Sequence, residues 1–184
     1  TRVYLMAGNH DYIKADSFYR DFQWEKNVTF FKNEQLTCVK DEKLDVYVYG
    51  LSYEHQEIEN PLYDSIHPAA GEGVHILLAH GGDAKHIPMN IKSIAASGFD
   101  YIALGHIHKA DYNTEENQRI VYPGSTISMG FDELGKHGVI LGEIDKEKVK
   151  LEFLSIDRKE FVERKIDVTN IASVEELIEK IDEE

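Results

Sequence analysis

Three polar motifs in this 184-residue sequence contain residue types that can bind metal ions. The first is Gly8-Asn9-His10-Asp11, the second is the single His80, and the third is Gly105-His106-Ile107-His108. Imidazole nitrogens with amide or carboxylate oxygens suit manganese, iron or zinc, and the lack of thiolates disfavours a purely structural zinc site. Because such ions can turn a bound water into hydroxide at neutral pH, the motifs could support a hydrolytic metal site.

Each motif stands at the end of a predicted buried strand. The apolar runs 3–7, 75–79 and 101–104 end just before the polar residues, and amphipathic helices are predicted at about 15–25 and 90–96. Near-continuous apolar strands that alternate with helices imply a sheet covered on both faces, and such sheets bind ligands beyond the carboxyl ends of their strands. We therefore expect the Asn and His side chains to converge on one rim.

The other segments predict antiparallel structure. Runs 36–40 and 44–51 alternate like a hairpin, and the strands predicted after His108 are shorter, which indicates a second, mainly antiparallel layer. A strand at about 161–168 should precede a helix at about 174–181, which begins with a capping-box pattern. The remaining predicted strands are 120–122, 138–144 and 149–156, and the capping pair is Ser173 with Glu176.

Composition restricts the compartment and the partners. No apolar run approaches the roughly 20 residues of a membrane span, and the single Cys38 can form no internal disulfide. A cytoplasmic protein with no membrane contact is therefore expected. The formal net charge of −14 opposes the broad basic field that non-specific nucleic-acid binding needs, so metals and local patches would have to hold any DNA substrate.

In their order and strand context, the three motifs resemble the later motifs of the calcineurin-like metallophosphoesterases. Tyr122-Pro123-Gly124-Ser125, followed by Gly138-Val139-Ile140 and Glu143-Ile144-Asp145, is similar to the region after Gly-His-x-His in the SbcD and YhaO nucleases. The resemblance covers most of the chain. It implies an α/β fold of the four-layer α+β type, in which a β-sandwich is flanked by helices.

The resemblance also implies a set of metal ligands. By this similarity, Asn9, His80 and His106 would bind one metal ion and His108 the other. The cofactor would be two divalent metal ions, with manganese expected and iron or zinc as alternatives. A pair of such ions neutralises the oxygens of a phosphodiester and generates the attacking hydroxide.

A catalytic role is implied for two further residues. His10 would sit over the substrate and donate a proton or a hydrogen bond to the leaving oxygen, and Asp11 would fix the tautomer of His10. Structural interpretations remain open beside these roles, because Asn9 and Asp11 could form a turn and His80 could be a polar strand end. The remaining histidines are interpreted as ordinary surface or strand residues, namely His55, His67, His75, His86 and His137.

The sequence also departs from the family pattern. Two earlier family motifs, an Asp-x-His and a Gly-Asp-x-x-Asp that together supply three more ligands, are not found upstream of Gly8. We expect a domain that is incomplete at its amino terminus over 1–157, the start of a capping domain over 158–184, and an isolated chain that is inactive. The other acids weighed as replacements lack a strand-end position, namely Asp16, Asp100 and Asp132.

The resemblance favours a DNA-repair exonuclease or endonuclease that acts on DNA ends. Its implied partners are DNA, an ATPase subunit of the SbcC or YhaN kind, and a second copy in a homodimer. Two alternatives stay open at this point. One is a phosphodiesterase for cyclic nucleotides or other small molecules, and the other is a non-catalytic module that docks on such an ATPase.

Overall fold

The computed structural model describes residues 1–112 and 119–183 and shows an α/β fold built on one five-stranded mixed sheet. In spatial order the sheet contains β3 (Thr37–Asp41), β4 (Val46–Gly50), β5 (Val74–His80), β6 (Tyr101–Gly105) and β7 (Ile120–Val121). Strand β3 is antiparallel to β4, which confirms the predicted hairpin, and the other neighbours are parallel. The predicted strand 120–122 therefore belongs to this sheet and not to the antiparallel layer.

Two smaller sheets complete the strand structure of the described residues. Strands β1 (Val3–Leu5) and β2 (Val28–Phe30) pair in parallel, whereas β8 (Gly138–Ile144) and β9 (Val149–Ser155) form the predicted antiparallel hairpin. The helices of the described residues are α1 (Ile91–Ala95) and α2 (Val174–Glu183). Neither has the length and apolarity that a membrane span requires.

The two faces of β5 are buried to different degrees. His75, Leu77 and Ala79 are buried on the side of the main core. Leu77 belongs there to a cluster that also contains Ile94 of α1 and Tyr53 of the segment after β4. The opposite face is half-buried, and Ile76 and Leu78 there line a largely apolar cavity of about 520 Å³. Burial within the described residues is therefore much stronger on one face of the sheet than on the other.

An aromatic cluster occupies the segment for which a helix at 15–25 was predicted. That prediction is wrong, because only the short 3-10 turn Phe18–Arg20 forms there. The rings of Phe22 and Trp24 are 4.6 Å apart, and Tyr19 lies 5.0 Å from Phe30 of β2. Ring packing against β2 and poor helix propensity of the aromatic residues favour a turn over a helix.

The carboxyl-terminal segment differs in part from its prediction. A strand over 161–168 was expected, but the described residues show only an isolated bridge between Gly135 and Phe161. The segment is rich in charge and its valines are exposed, so it has no packed face that would hold a strand in register. Helix α2 is confirmed, and its Glu176 N–H donates to the Ser173 side chain at 3.2 Å.

Candidate metal centre

The carboxyl ends of β1, β5 and β6 bring three of the predicted metal ligands together. Asn9 is buried, with 4% of its surface exposed, and its Oδ1 lies 2.8 Å from His80 Nε2 and 3.4 Å from His106 Nδ1. Backbone pairing creates this arrangement, since His80 of β5 is in register with Gly105 of β6. The loop after β1 reaches the same rim because Tyr53 N–H donates to the Ala7 carbonyl at 3.1 Å.

Two glycines make room for the His80 ring. A Cβ atom at Gly8 would lie 2.6 Å from His80 Cε1, and one at Gly105 would lie 2.9 Å from His80 Nδ1. Real Cβ atoms do not come this close to a ring without displacing it. The glycines that open the Gly-Asn-His and Gly-His motifs are therefore needed where they stand, since any side chain would push His80 off the rim.

Three tyrosines fix the backbone that carries His80. The hydroxyl of Tyr53 donates to the His80 carbonyl at 2.9 Å, and the hydroxyl of Tyr122 donates to the Gly81 carbonyl at 2.9 Å. The His80 N–H donates to the Tyr63 hydroxyl at 3.5 Å. Because Tyr53 and Tyr63 are fully buried, these bonds hold the end of β5 from the core side.

Burial also sets the charge of His80. Removal from water lowers the pKa of His80 to about 4, and the neighbouring His106 contributes in the same direction. The ring is therefore neutral at physiological pH, as a metal-binding imidazole must be. One amide oxygen and the nitrogens of two imidazoles converge here, and this donor set fits a divalent transition-metal ion.

His106 joins this rim to a second group of side chains. Its backbone φ of 98° is unusual for a residue other than glycine, and its two ring nitrogens face different partners. Nδ1 faces Asn9, whereas Nε2 lies 2.7 Å from Asp83 Oδ2. The same carboxylate lies 2.8 Å from His86 Nδ1, so two imidazoles share one acid.

Asp83 and His86 were missed by sequence reasoning. Asp83 was not considered, and His86 was assigned to the ordinary surface. Burial opposes ionisation of Asp83, but hydrogen bonds from His86 and His106 hold the pKa of its carboxyl well below its usual range. The sequence feature that could have identified them is their position, because both residues follow His80 in the loop after β5.

The fourth predicted ligand, His108, lies apart from this group. Its Nδ1 contacts a carboxylate oxygen of Glu133 in the loop before β8, and more than half of its side chain is exposed. A hydrogen bond from the Met129 backbone N–H, followed by the contact with His108, holds the pKa of Glu133 below its usual range. No hydrogen bond or ion pair of the described residues joins His108 to Asn9, His80 or His106.

The two predicted catalytic residues are adjacent in sequence, but among the described residues no hydrogen bond joins their side chains. His10 is exposed on the loop after β1. Asp11 instead accepts hydrogen bonds from the Gly8 N–H at 2.7 Å and the Tyr19 hydroxyl at 2.6 Å. The expected hydrogen bond from His10 to Asp11 does not form among the described residues, and Asp11 holds the Gly8 loop in place.

The other acids and a buried histidine have local structural partners. Asp100 is buried, accepts the His75 N–H at 2.8 Å and lies 3.3 Å from Lys146 Nζ. His75 itself stacks on Tyr47 with the ring centroids 4.6 Å apart. The exposed Asp16 pairs with Lys14, and Asp132 lies on an exposed loop. Asp16 and Asp100 are therefore paired with groups outside the rim.

Comparison with known proteins gives two curated relatives. YhaO of Bacillus subtilis (strain 168), an uncharacterized metallophosphoesterase, is 25% identical over 190 residues, which cover 98% of this chain and 46% of the relative. The DNA double-strand break repair protein Mre11 of Methanocaldococcus jannaschii is 24% identical over 196 residues, which cover 98% of this chain and 52% of the relative. The chain thus spans about half the length of the curated relatives it matches.

A domain family matches most of the chain directly. Residues 1–147 match the domain of the calcineurin-like phosphoesterase superfamily. That range contains the rim residues Asn9, His80 and His106, and also His108 with its neighbour Glu133. The resemblance inferred from the three motifs is therefore confirmed, and the chain belongs to the calcineurin-like phosphoesterase superfamily.

Proposed function

We propose that the protein containing this chain is a metal-dependent nuclease of DNA repair that hydrolyses phosphodiester bonds at DNA ends. One observation carries the proposal. Asn9, His80 and His106 come from three separate strand ends, yet their oxygen and nitrogen atoms meet at one rim of the sheet. Family membership makes phosphoester hydrolysis the expected chemistry of such a rim.

The residues have distinct roles in this proposal. Asn9, His80 and His106 hold one divalent ion, and His108 belongs to a second one. When bound, the ions polarise the phosphate oxygens and make hydroxide available at neutral pH. The exposed His10 donates a proton to the leaving oxygen, and the Gly8 loop, which Asp11 holds, keeps His10 beside the rim.

The proposal extends to the substrate class and the partners. The similarity to a double-strand break repair protein favours DNA. Manganese as the metal and a cytoplasmic location are further parts of the proposal. An ATPase of the SbcC or YhaN kind and a second copy of the protein are the partners we propose. With a net charge of −14 on the chain, DNA binding has to depend on the ions and on local contacts.

Nuclease assays on the full-length protein test the proposal. We expect manganese-dependent cleavage of linear DNA. His10→Asn should lower turnover by roughly 100-fold or more with the metal content unchanged, because a general acid contributes about that much. His106→Ala should lose metal and activity together, whereas the exposed His55→Asn should change neither. Equal metal loss in His10→Asn and His106→Ala would refute the role of His10.

A small chromogenic diester separates the alternatives. Hydrolysis of that diester with no action on DNA would favour a small-molecule phosphodiesterase. Inactivity on both substrates, with binding to an ATPase retained, would favour a docking module. For the 184-residue chain alone we expect no activity and fewer than two manganese ions by calorimetry, because three family ligands are not among its motifs. Two tight sites would contradict this expectation.

A further inference from the structure

The loop after β5 carries two potential metal ligands outside the family-derived set. Ligand atoms of Asp83, His86 and His106 all lie within 4.8 Å of one another. Asp83 lies 2.8 Å from His86 Nδ1 and 2.7 Å from His106 Nε2, and the two imidazole centroids are 4.8 Å apart. We call these three residues the outer cluster. It faces the side of His106 opposite Asn9.

The backbone of the loop fixes the outer cluster. Asp83 Oδ1 accepts the N–H groups of Lys85 and His86 at 2.8 and 2.9 Å, so the acid is tied to its own loop. The Gly82 N–H donates to the His86 carbonyl at 2.9 Å, and φ is 126° at Gly82, a value that favours glycine. Buried Ile87 anchors the end of the loop, and its N–H donates to Ile58 at 2.7 Å.

A simple acid and histidine pair elsewhere in the chain provides a contrast. His55 Nδ1 lies 2.7 Å from Glu34, but the His55 side chain is 75% exposed, and among the described residues no second imidazole shares that acid. In the outer cluster, the side chains of His86 and His106 are only 18% and 13% exposed, while Asp83 is 46% exposed. Two largely buried imidazoles therefore share one carboxylate that is exposed to solvent. An ion can reach the cluster from the side of Asp83.

We propose that the outer cluster binds one divalent transition-metal ion through Asp83, His86 and His106 Nε2. Two imidazoles and one carboxylate suit zinc, iron, manganese or cobalt, and they disfavour magnesium and calcium, which prefer oxygen ligands throughout. His106 belongs both to the outer cluster and to the rim set of Asn9, His80 and His106. The inference therefore rests on the proposed function only through His106. It adds a carboxylate beside the rim, because the side chains of Asn9, His80 and His108 are not carboxylates.

Titration of the 184-residue chain with Co²⁺ tests the inference, with visible absorption as the first readout and competition by Zn²⁺ as the second. We expect one ion per chain. His86→Gln and Asp83→Asn should each weaken its binding by at least about tenfold and change the cobalt spectrum. His55→Gln is the matched control and should bind like the unchanged chain. Circular dichroism of every variant verifies that the fold is retained.

Three outcomes would overturn the inference. The first is an unchanged chain that binds no cobalt. The second is unaltered binding in both His86→Gln and Asp83→Asn. The third is loss of binding in His80→Gln but not in His86→Gln, which would place the ion among Asn9, His80 and His106. These results are independent of the nuclease assay, so a protein that cleaves DNA can still fail this test, and an inactive one can pass it.

Discussion

His80 and His108 are both motif histidines near strand ends, yet their surroundings differ. His80 lies between two glycines on a strand paired on both sides, and three tyrosines hold its backbone. His108 lies beyond its strand, exposed, and contacts Glu133 from a loop. The fold thus fixes the His80 side of the rim from the core, whereas the His108 side depends on a neighbouring loop.

This difference predicts how each side responds to substitution. Substitutions in the core below His80 should change both the stability of the fold and the geometry of the rim, because the side chains that pack there also position His80. Changes beside His108 should alter local contacts with little effect on stability. Four substitutions test the contrast, and they are ordered from the largest expected effect to the smallest.

Leu77→Ala should cause the greatest loss of stability. Leu77 is fully buried on β5, and truncation of such a side chain costs about 2–5 kcal/mol. Urea denaturation measures the free energy of unfolding. The control is Leu141→Ala on β8, where the leucine is 58% exposed and the expected cost is below about 0.5 kcal/mol. Similar losses in both variants would contradict the stronger packing of β5.

Gly8→Ala should come second, at about 1–3 kcal/mol, because the new methyl group overlaps the His80 ring. The histidine NMR signals should shift as the ring moves away from Asn9. Gly71→Ala is the control, since a Cβ atom there would lie 3.3 Å from its closest neighbour, the movable Tyr47 Oη. If Gly8→Ala leaves both stability and the His80 signals unchanged, the close fit around His80 does not exist in solution.

Tyr53→Phe should cost about 1 kcal/mol, because it leaves the His80 carbonyl without its hydrogen bond. Thermal unfolding should record a decrease of roughly 2–4 °C. Tyr112→Phe is the matched control, since Tyr112 stacks on Phe153 with the ring centroids 5.3 Å apart, and that contact uses the ring and not the hydroxyl. An equal decrease in both variants would show that the bond to His80 contributes nothing specific.

Glu133→Gln should have the smallest effect on stability, below about 1 kcal/mol, because its contact with His108 lies near the surface. The His108 NMR signals should nevertheless shift, since the facing charge is removed. The signals of His137, which lies 3.2 Å from the Glu133 carbonyl through its Nε2, should shift less than those of His108, because that contact uses the backbone. A large loss of stability would mean that the His108 side is also held by the core.

The sequence was most informative where backbone geometry decides the outcome. Apolar strands ending in polar residues predicted β5, β6 and the closeness of His80 and His106, because parallel strand ends share one edge of a sheet. Asn9 was also expected at this rim, but it reaches it from the separate sheet of β1 and β2, through the loop that Tyr53 binds at Ala7. The capping pattern at Ser173 likewise predicted the start of α2. The domain boundary at 157 remains a prediction.

Long-range side-chain contacts set the limit of prediction from sequence. The helix predicted at 15–25 gave way to ring packing between Tyr19 and Phe30, which the local pattern does not encode. Asp83 and His86 were missed for a related reason, since the fold of their loop brings them to His106 and no motif marks them. The hydrogen bonds that Asp11 accepts from Gly8 and Tyr19 were also missed, because the resemblance implied a bond between Asp11 and His10 instead.

The parallel pairing of β5 with both β4 and β6 has a consequence for the timing of motions at the rim. Amides of a strand paired on both sides exchange with solvent only when the sheet opens, whereas surface loops exchange through local fluctuations. The amide of Leu78 should therefore exchange far more slowly than that of Phe131. The His80 side chain would then keep its place for the lifetime of the folded sheet, and the entry or exit of any ion would depend on the faster loops around it.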